Sequence, residues 1–244
     1  MASFLMIHGA WHGGWCFDRL RAPLEAAGHG MSAPDLPGMG GDMRALAAVS
    51  LERWARFVVE VAEALPAPVI LCGHSRGGIV VSQAAELAPE RFAALVYIAA
   101  MLVPDGHSLY DMRDSQPRDP ALEAGLEPVA GGLAVAVAPD VAMAHFCDRS
   151  SPADQAMVAA RLLPEPVRPL GTPLRLSEAR YGRVPRHYIA CRHDRTIPFA
   201  LQQAMQARLP CATSITLGSD HSPFLCAPEA LTAALITIAE RIEA

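Results

Sequence analysis

The sequence predicts an α/β protein: a mainly parallel sheet of about six strands, helices on both faces, and one long inserted cap. Three observations carry this. Short apolar segments alternate with segments whose apolar residues recur at a helical period. Several of the apolar segments are continuous, as in strands buried on both faces. One stretch, residues 104–185, breaks the rhythm; it is rich in Pro and charge and reads as strand-free, with short helical pieces near 139–147 and 152–162. A stretch of that length is a functional cap sooner than a loop. Residues 1–103 and 186–244 are then the core, and 104–185 the cap. Within the cap, "AGGLAVAVA" (130–138) is simple in composition and too short to carry weight.

Along the chain, "SFLMI" (3–7) is the first strand. "RLRAPLEAAG" follows as a helix, with Leu20, Leu24 and Ala27 on one face and Gly28 as a stop. "HGMSAPDL" is a weak strand running into a Pro/Gly-rich loop over 34–42. Ser50 caps a helix with Leu51, Trp54, Ala55, Val58, Ala62 and Leu65 on its apolar face. "APVILCGH" is a buried strand, residues 76–88 are a helix that stops before Pro89, and "AALVYIAA" (93–100) is another buried strand. "RHYIAC" (186–191) and "ATSITL" (212–217) complete the sheet. Pro228 opens a last helix carrying Leu231, Leu235, Ile238 and Ile242.

Composition narrows the function. The 244 residues are 52% hydrophobic and 18% charged, with net charge −5, which suits one globular domain with a large core. No basic run can track a nucleic-acid backbone, and nothing favours an anionic membrane as partner. No apolar stretch reaches a membrane span, and the N-terminus lacks a signal-peptide pattern, so residence in the cytoplasm is the expectation. The six cysteines are scattered without a CxxC pair and read as free thiols used as small core residues. A homodimer is left open as an assembly.

The chemistry concentrates in "LCGHSRGGIV" (71–80), where Ser75 stands between glycines at a strand-to-helix junction. A Gly-x-Ser-x-Gly turn there is a nucleophile elbow: Gly73 and Gly77 let strand and helix approach, and the serine is pushed out above the helix N-terminus. A phosphate loop would need a lysine after the glycines, and none follows. A serine needs a base, and the base needs an orienting acid. In this architecture the order is Ser, Asp, His; Asp194 in "IACRHDRTIP" and His221 in "TLGSDHSPF" each follow a strand and complete the set. Asp105 is the rival acid. Asp220 reads as a loop residue, His193 suits the base poorly, and His74 reads as packed inside the elbow. His8 and His12 lie near the site, but no cluster has metal-site spacing, so no metal is expected. The oxyanion hole takes one backbone N–H from Arg76 and one from Ala10 in "HGAWHGGW". The Arg76 side chain sits oddly beside a nucleophile; pairing with a carboxylate elsewhere would account for it. Trp11, Met101, Leu102, Phe146 and Phe224 are candidates for the substrate pocket, each with core packing as the competing reading.

These segments resemble the α/β-hydrolase superfamily, and within it the group of plant methylesterases, hydroxynitrile lyases and related bacterial ester and pyrethroid hydrolases. The resemblance rests on "FLMIHGAWHGGWCF", "LEAAGHGMSAPDLPG", "VILCGHSRGG", "AAMLVPDGHS", "CRHDRTIP" and "GSDHSPFLCAPE", and spans residue 4 to about 230 with the cap dissimilar. It implies Ser75 as nucleophile, Asp194 as acid, His221 as base, the Ala10 and Arg76 backbones as oxyanion hole, and no cofactor. The lyases of the group carry a threonine after the first loop histidine and a lysine after the catalytic histidine. This chain has Gly9 and Ser222 there, so no fixed cation is supplied for a leaving cyanide. The expectation is therefore an esterase forming an acyl-enzyme on a small to medium apolar or aryl ester. The alternatives are a lyase-like or carbon–carbon-cleaving hydrolase, and a non-catalytic receptor on the same fold.

Overall fold

The computed structural model describes residues 1–39, 43–115, 117 and 119–243. The core sheet contains β1 (Ser3–Ile7), β2 (Gly30–Ser32), β3 (Val69–His74), β4 (Phe92–Ile98), β8 (Arg186–Cys191) and β9 (Thr213–Leu217). Their order is β2-β1-β3-β4-β8-β9, every pairing parallel. The six strands and their order of appearance agree with the sequence reading. The weak strand shrinks to three residues at the sheet edge. The loop expected over 34–42 lies partly outside the described residues.

The continuous apolar runs arise because successive side chains of a strand point to opposite faces, and here both faces are covered. Leu5, Ile7, Leu71, Leu95 and Tyr97 pack with Trp54 and Val58 of helix Leu51–Glu63 and Val80 and Val81 of helix Gly77–Leu87. Phe4, Met6, Ile70, Cys72, Val96 and Ile98 face the other way, onto Leu20 and Leu24 of helix Asp18–Ala26 and Leu231, Leu235 and Ile238 of helix Pro228–Glu243. The Ser50 side chain accepts from the Arg53 N–H at 3.1 Å, capping its helix as expected. Ala27, expected on the buried face of the first helix, is exposed beyond the helix end.

The segment between β4 and β8 corrects one expectation: it is not strand-free. It holds β5 (Leu126–Val129), β6 (Ala134–Val137) and β7 (Glu165–Pro166), an antiparallel sheet with β6 in the middle. The "AVAV" of β6 is part of the stretch read as simple composition. Small alternating residues suit a short strand flanked by turns, and Gly131 and Gly132 supply positive φ at the bend before it. The helical pieces are present as Pro139–Phe146 and Pro152–Ala159, with shorter helices Leu109–Asp114, Pro120–Ala124 and Val167–Leu170. Among the described residues no helix is long and apolar enough to cross a membrane.

Candidate active site

Ser75 follows β3, the loop 8–14 follows β1, Asp194 follows β8 and His221 follows β9. All lie at carboxyl ends of parallel strands, and β1 and β3 are where the chain reverses its direction of winding across the sheet. Ser75 has φ 53°, a left-handed conformation uncommon outside glycine. Three backbone bonds hold it: Ser75 N–H donates to Ile98 O (3.2 Å), while Met101 N–H (3.0 Å) and Gly78 N–H (3.1 Å) donate to Ser75 O.

The flanking glycines are required by contact. A Cβ on Gly73 would lie 2.7 Å from the Val81 side chain, and one on Gly77 2.6 Å from Ile7 O. The second obstacle is backbone and cannot swing aside. Gly77→Ala is expected to lower the free energy of unfolding by about 1–3 kcal/mol, the usual cost of overpacking. A denaturant melt coinciding with that of the parent protein would refute this.

The triad is assembled. His221 Nδ1 lies 2.7 Å from Asp194 Oδ2 and His221 Nε2 2.9 Å from Ser75 Oγ. A carboxylate only accepts, so Nδ1 carries the proton and donates to Asp194, leaving Nε2 to accept from the Ser75 hydroxyl. Asp194 is fixed in turn: its Oδ1 accepts from the N–H groups of Thr196 and Ile197, each at 2.8 Å, and its Oδ2 from Gln202 Nε2 at 3.2 Å. Asp105, the rival acid, is exposed and accepts from Leu176 N–H instead. Asp220 holds its loop, accepting from Arg149 N–H and Ser222 N–H. His74 Nε2 sits 2.7 Å from His221 O and its ring packs 4.7 Å from that of His221. Ala10 N–H and Arg76 N–H, the two expected oxyanion donors, have no protein acceptor among the described residues. Arg76 also precedes the first turn of helix Gly77–Leu87, whose dipole adds positive potential there.

Three histidines around the triad are buried and neutral. Burial, then Arg76 nearby, holds His8 well below the ordinary histidine range. Burial lowers His12 to about 4, and burial followed by the neighbouring His221 lowers His74. The folded chain therefore binds fewer protons than the unfolded chain just below the ordinary value of 6.5. Their contribution to stability is complete above that value and declines as pH falls below it, the His12 share being lost by about 4. At its steepest the loss is about 1.4 kcal/mol per pH unit for each histidine. Urea midpoints measured between these limits should decline, and more shallowly in His12→Gln; a flat profile would refute the account.

A cavity of about 500 Å³ opens on Ser75, Ala10 and Arg76. Trp11 and Met101 line it. Leu102, Phe146 and Phe224, expected there, lie outside its lining. Leu102 belongs to the main core, Phe146 stacks on Trp11 at 5.4 Å, and Phe224 meets His74 edge-on at 4.9 Å. Phe146 and Phe224 support the site from behind, Phe146 with its ring 6.0 Å from that of His221 and Phe224 against His74. The cap side contributes Arg113, Asp119 and Glu123 beside Leu109, Leu122 and Leu170.

Sequence reasoning missed Glu165, which is fully buried and pairs at 2.8 Å with Arg76, the residue after the nucleophile. The oddity of an arginine after the nucleophile was the available signal; nothing local marked its partner. Among the described residues no group of three His, Cys, Asp or Glu side chains is arranged to hold a metal.

A strand-to-helix elbow, a serine–histidine–aspartate relay and a cap over an open cavity define a serine hydrolase of the α/β type. The model of the alpha/beta hydrolase family matches residues 4–234, and the chain belongs to that family. It is 31% identical to Methylesterase 7 of Arabidopsis thaliana, over 98% of this chain and 96% of that protein. It is also 31% identical to Salicylic acid-binding protein 2 of Nicotiana tabacum, over 98% and 97%. A pyrethroid hydrolase from Sphingobium faniae superposes with a TM-score of 0.85 at 27% identity, covering 98% of each chain. Polyneuridine aldehyde esterase shares the fold, with a TM-score of 0.87 at 24% identity over 98% of this chain and 99% of that one. The chain is a carboxylesterase-type hydrolase.

Proposed function

We propose that the protein hydrolyses small to medium apolar or aryl carboxylic esters through an acyl-enzyme on Ser75. The observation that carries this is the 2.9 Å contact of His221 Nε2 with Ser75 Oγ, backed by Asp194. His221 takes the Ser75 proton as Oγ attacks the ester carbonyl. The resulting oxyanion is held by the N–H groups of Ala10 and Arg76, and His221 passes its proton to the departing alcohol. Water then enters, gives a proton to His221 and adds to the acyl carbon. Collapse releases the acid and returns the proton to Ser75. The half-buried Trp11 ring and Met101 supply apolar wall for the acyl or aryl group.

Two features favour hydrolysis over cyanohydrin cleavage. Position 222 carries a buried serine outside the cavity lining, so no cation faces the nucleophile from there. A Cβ at position 9 would lie 2.9 Å from both His74 Nδ1 and Ser75 Cβ, so the threonine of the lyases does not fit without movement. The test is turnover of p-nitrophenyl esters of increasing acyl length, with Ser75→Ala as control. A length optimum that disappears in the variant supports the reading. Folded protein inert towards every ester would overturn it and turn attention to cyanohydrin and carbon–carbon substrates.

A further inference from the structure

We propose that the buried Arg76–Glu165 pair is a positioning device that aims the Ala10 N–H at the oxyanion opposite the Arg76 N–H, with Glu165 supplied by the cap. The inference rests on the ester-hydrolase reading above. Arg76 donates one oxyanion N–H from its own backbone. Its side chain turns back to the loop that carries the other: Nη2 donates to Gly9 O at 2.9 Å. Gly9 C=O and Ala10 N–H belong to one planar trans peptide and point in opposite directions, so anchoring the carbonyl aims the N–H. His8 Nδ1 holds the same carbonyl at 2.9 Å.

The next peptide is anchored as well. Glu165 Oε2 accepts from Trp11 N–H at 3.2 Å, and Ala10 O lies 2.8 Å from His12 Nδ1. Trp11 sits at φ 61°, a conformation that a tryptophan holds only when its surroundings impose it. The two side chains bind each other, Arg76 Nε to Glu165 Oε1 at 2.8 Å, and the guanidinium lies 4.4 Å from the buried Trp54 ring. Glu165 itself is carried on β7, beside Val135 of β6. Val135 O accepts from Trp11 Nε1 at 2.9 Å, so backbone and ring of Trp11 are both tied to the cap sheet.

Stability alone is a poor reason for this pair. A buried ion pair is commonly matched or bettered by apolar residues of similar volume. What apolar residues would not reproduce is the pair of hydrogen bonds on either side of Ala10. The pair is therefore explained by where it holds the loop.

The test compares the parent protein with Glu165→Gln and with the double variant Arg76→Met/Glu165→Leu, which leaves no unpaired charge. Folding is checked by thermal melting. Activity is read as kcat and KM on a p-nitrophenyl ester, and oxyanion-site geometry as Ki for an aryl boronic acid, whose tetrahedral adduct on Ser75 places an oxygen between the two donors. In the folded double variant kcat is expected to fall about 10- to 100-fold, with KM nearly unchanged and boronate Ki raised in step with the loss in kcat/KM. Glu165→Gln keeps an acceptor for Trp11 N–H and should lose less on both measures. Should the double variant fail to fold, Glu165→Gln decides: a matched loss in kcat and boronate affinity supports the inference, and unchanged values overturn it. A folded double variant with parental kcat and Ki, or a fall in kcat without weaker boronate binding, also overturns it. Turnover that is absent from the parent, or that survives Ser75→Ala, would instead overturn the ester-hydrolase reading and the inference with it.

Discussion

Ser75→Ala is expected to lower kcat by about 10⁶-fold while leaving the protein folded, the scale seen when a serine hydrolase loses its nucleophile. The substitution removes one oxygen whose side-chain partner is His221 Nε2. The left-handed backbone at position 75 is held by bonds to Ile98, Gly78 and Met101, none of which involves the side chain. The elbow should therefore persist, and the melting curve should stay close to that of the parent. Residual turnover should be that of an oxyanion site without a nucleophile. Initial rates on p-nitrophenyl acetate, together with covalent labelling by a fluorophosphonate, measure both aspects. Labelling of the variant at the parental rate would place the nucleophile elsewhere.

Asp194→Asn is expected to cost about 10⁴-fold in kcat through the tautomer of His221. Asp194 Oδ1 accepts two backbone N–H bonds, from Thr196 and Ile197, so the amide oxygen of an asparagine would take that place. Its NH₂ group then falls at the Oδ2 position, 2.7 Å from His221 Nδ1. A donor there requires Nδ1 to accept, which moves the imidazole proton to Nε2. Nε2 then points an N–H at Ser75 and takes no proton from it. The Gln202 amide, 3.2 Å from the same position, would face a second donor and adds to the local cost. Stopped-assay rates and thermal melting on the same preparation check this. A loss below tenfold in a folded variant would show that Asp194 does not set the tautomer.

The parts of the molecule that were legible from sequence are those in which local pattern and burial coincide. β3 and β4 read clearly because both faces of the sheet are covered, so every residue from Val69 to Cys72 and from Ala94 to Ile98 is apolar and buried. Ser75 was recoverable because it follows a strand of that kind; Asp194 and His221 follow β8 and the half-exposed edge strand β9, and were recoverable from the order Ser, Asp, His at strand ends that the fold places together. The cap sheet was not legible. Its strands span two to four residues, β5 contains Pro128, and β6 is built from alternating alanine and valine that gives no strong periodicity. The wall of the cavity was half legible. Aromatic residues flanking the triad, such as Phe146 and Phe224, look alike in sequence whether they face solvent or fill the interior behind a histidine. Glu165 was the least accessible, because its role depends on a residue 89 positions away and on no local pattern.

The contact between Arg76 and Glu165 also bears on how such proteins can be recombined. The insertion between β4 and β8 docks on the core through a charge as well as through apolar surface. Grafting onto this core an insertion that lacks an acid at the place of Glu165 would leave a guanidinium stranded in a dry interior, a loss of about 3–5 kcal/mol. The converse graft would bury an unmatched carboxylate. In chimaeras built on this scaffold the heritable module is the insertion together with residue 76, although the two lie on separate stretches of chain.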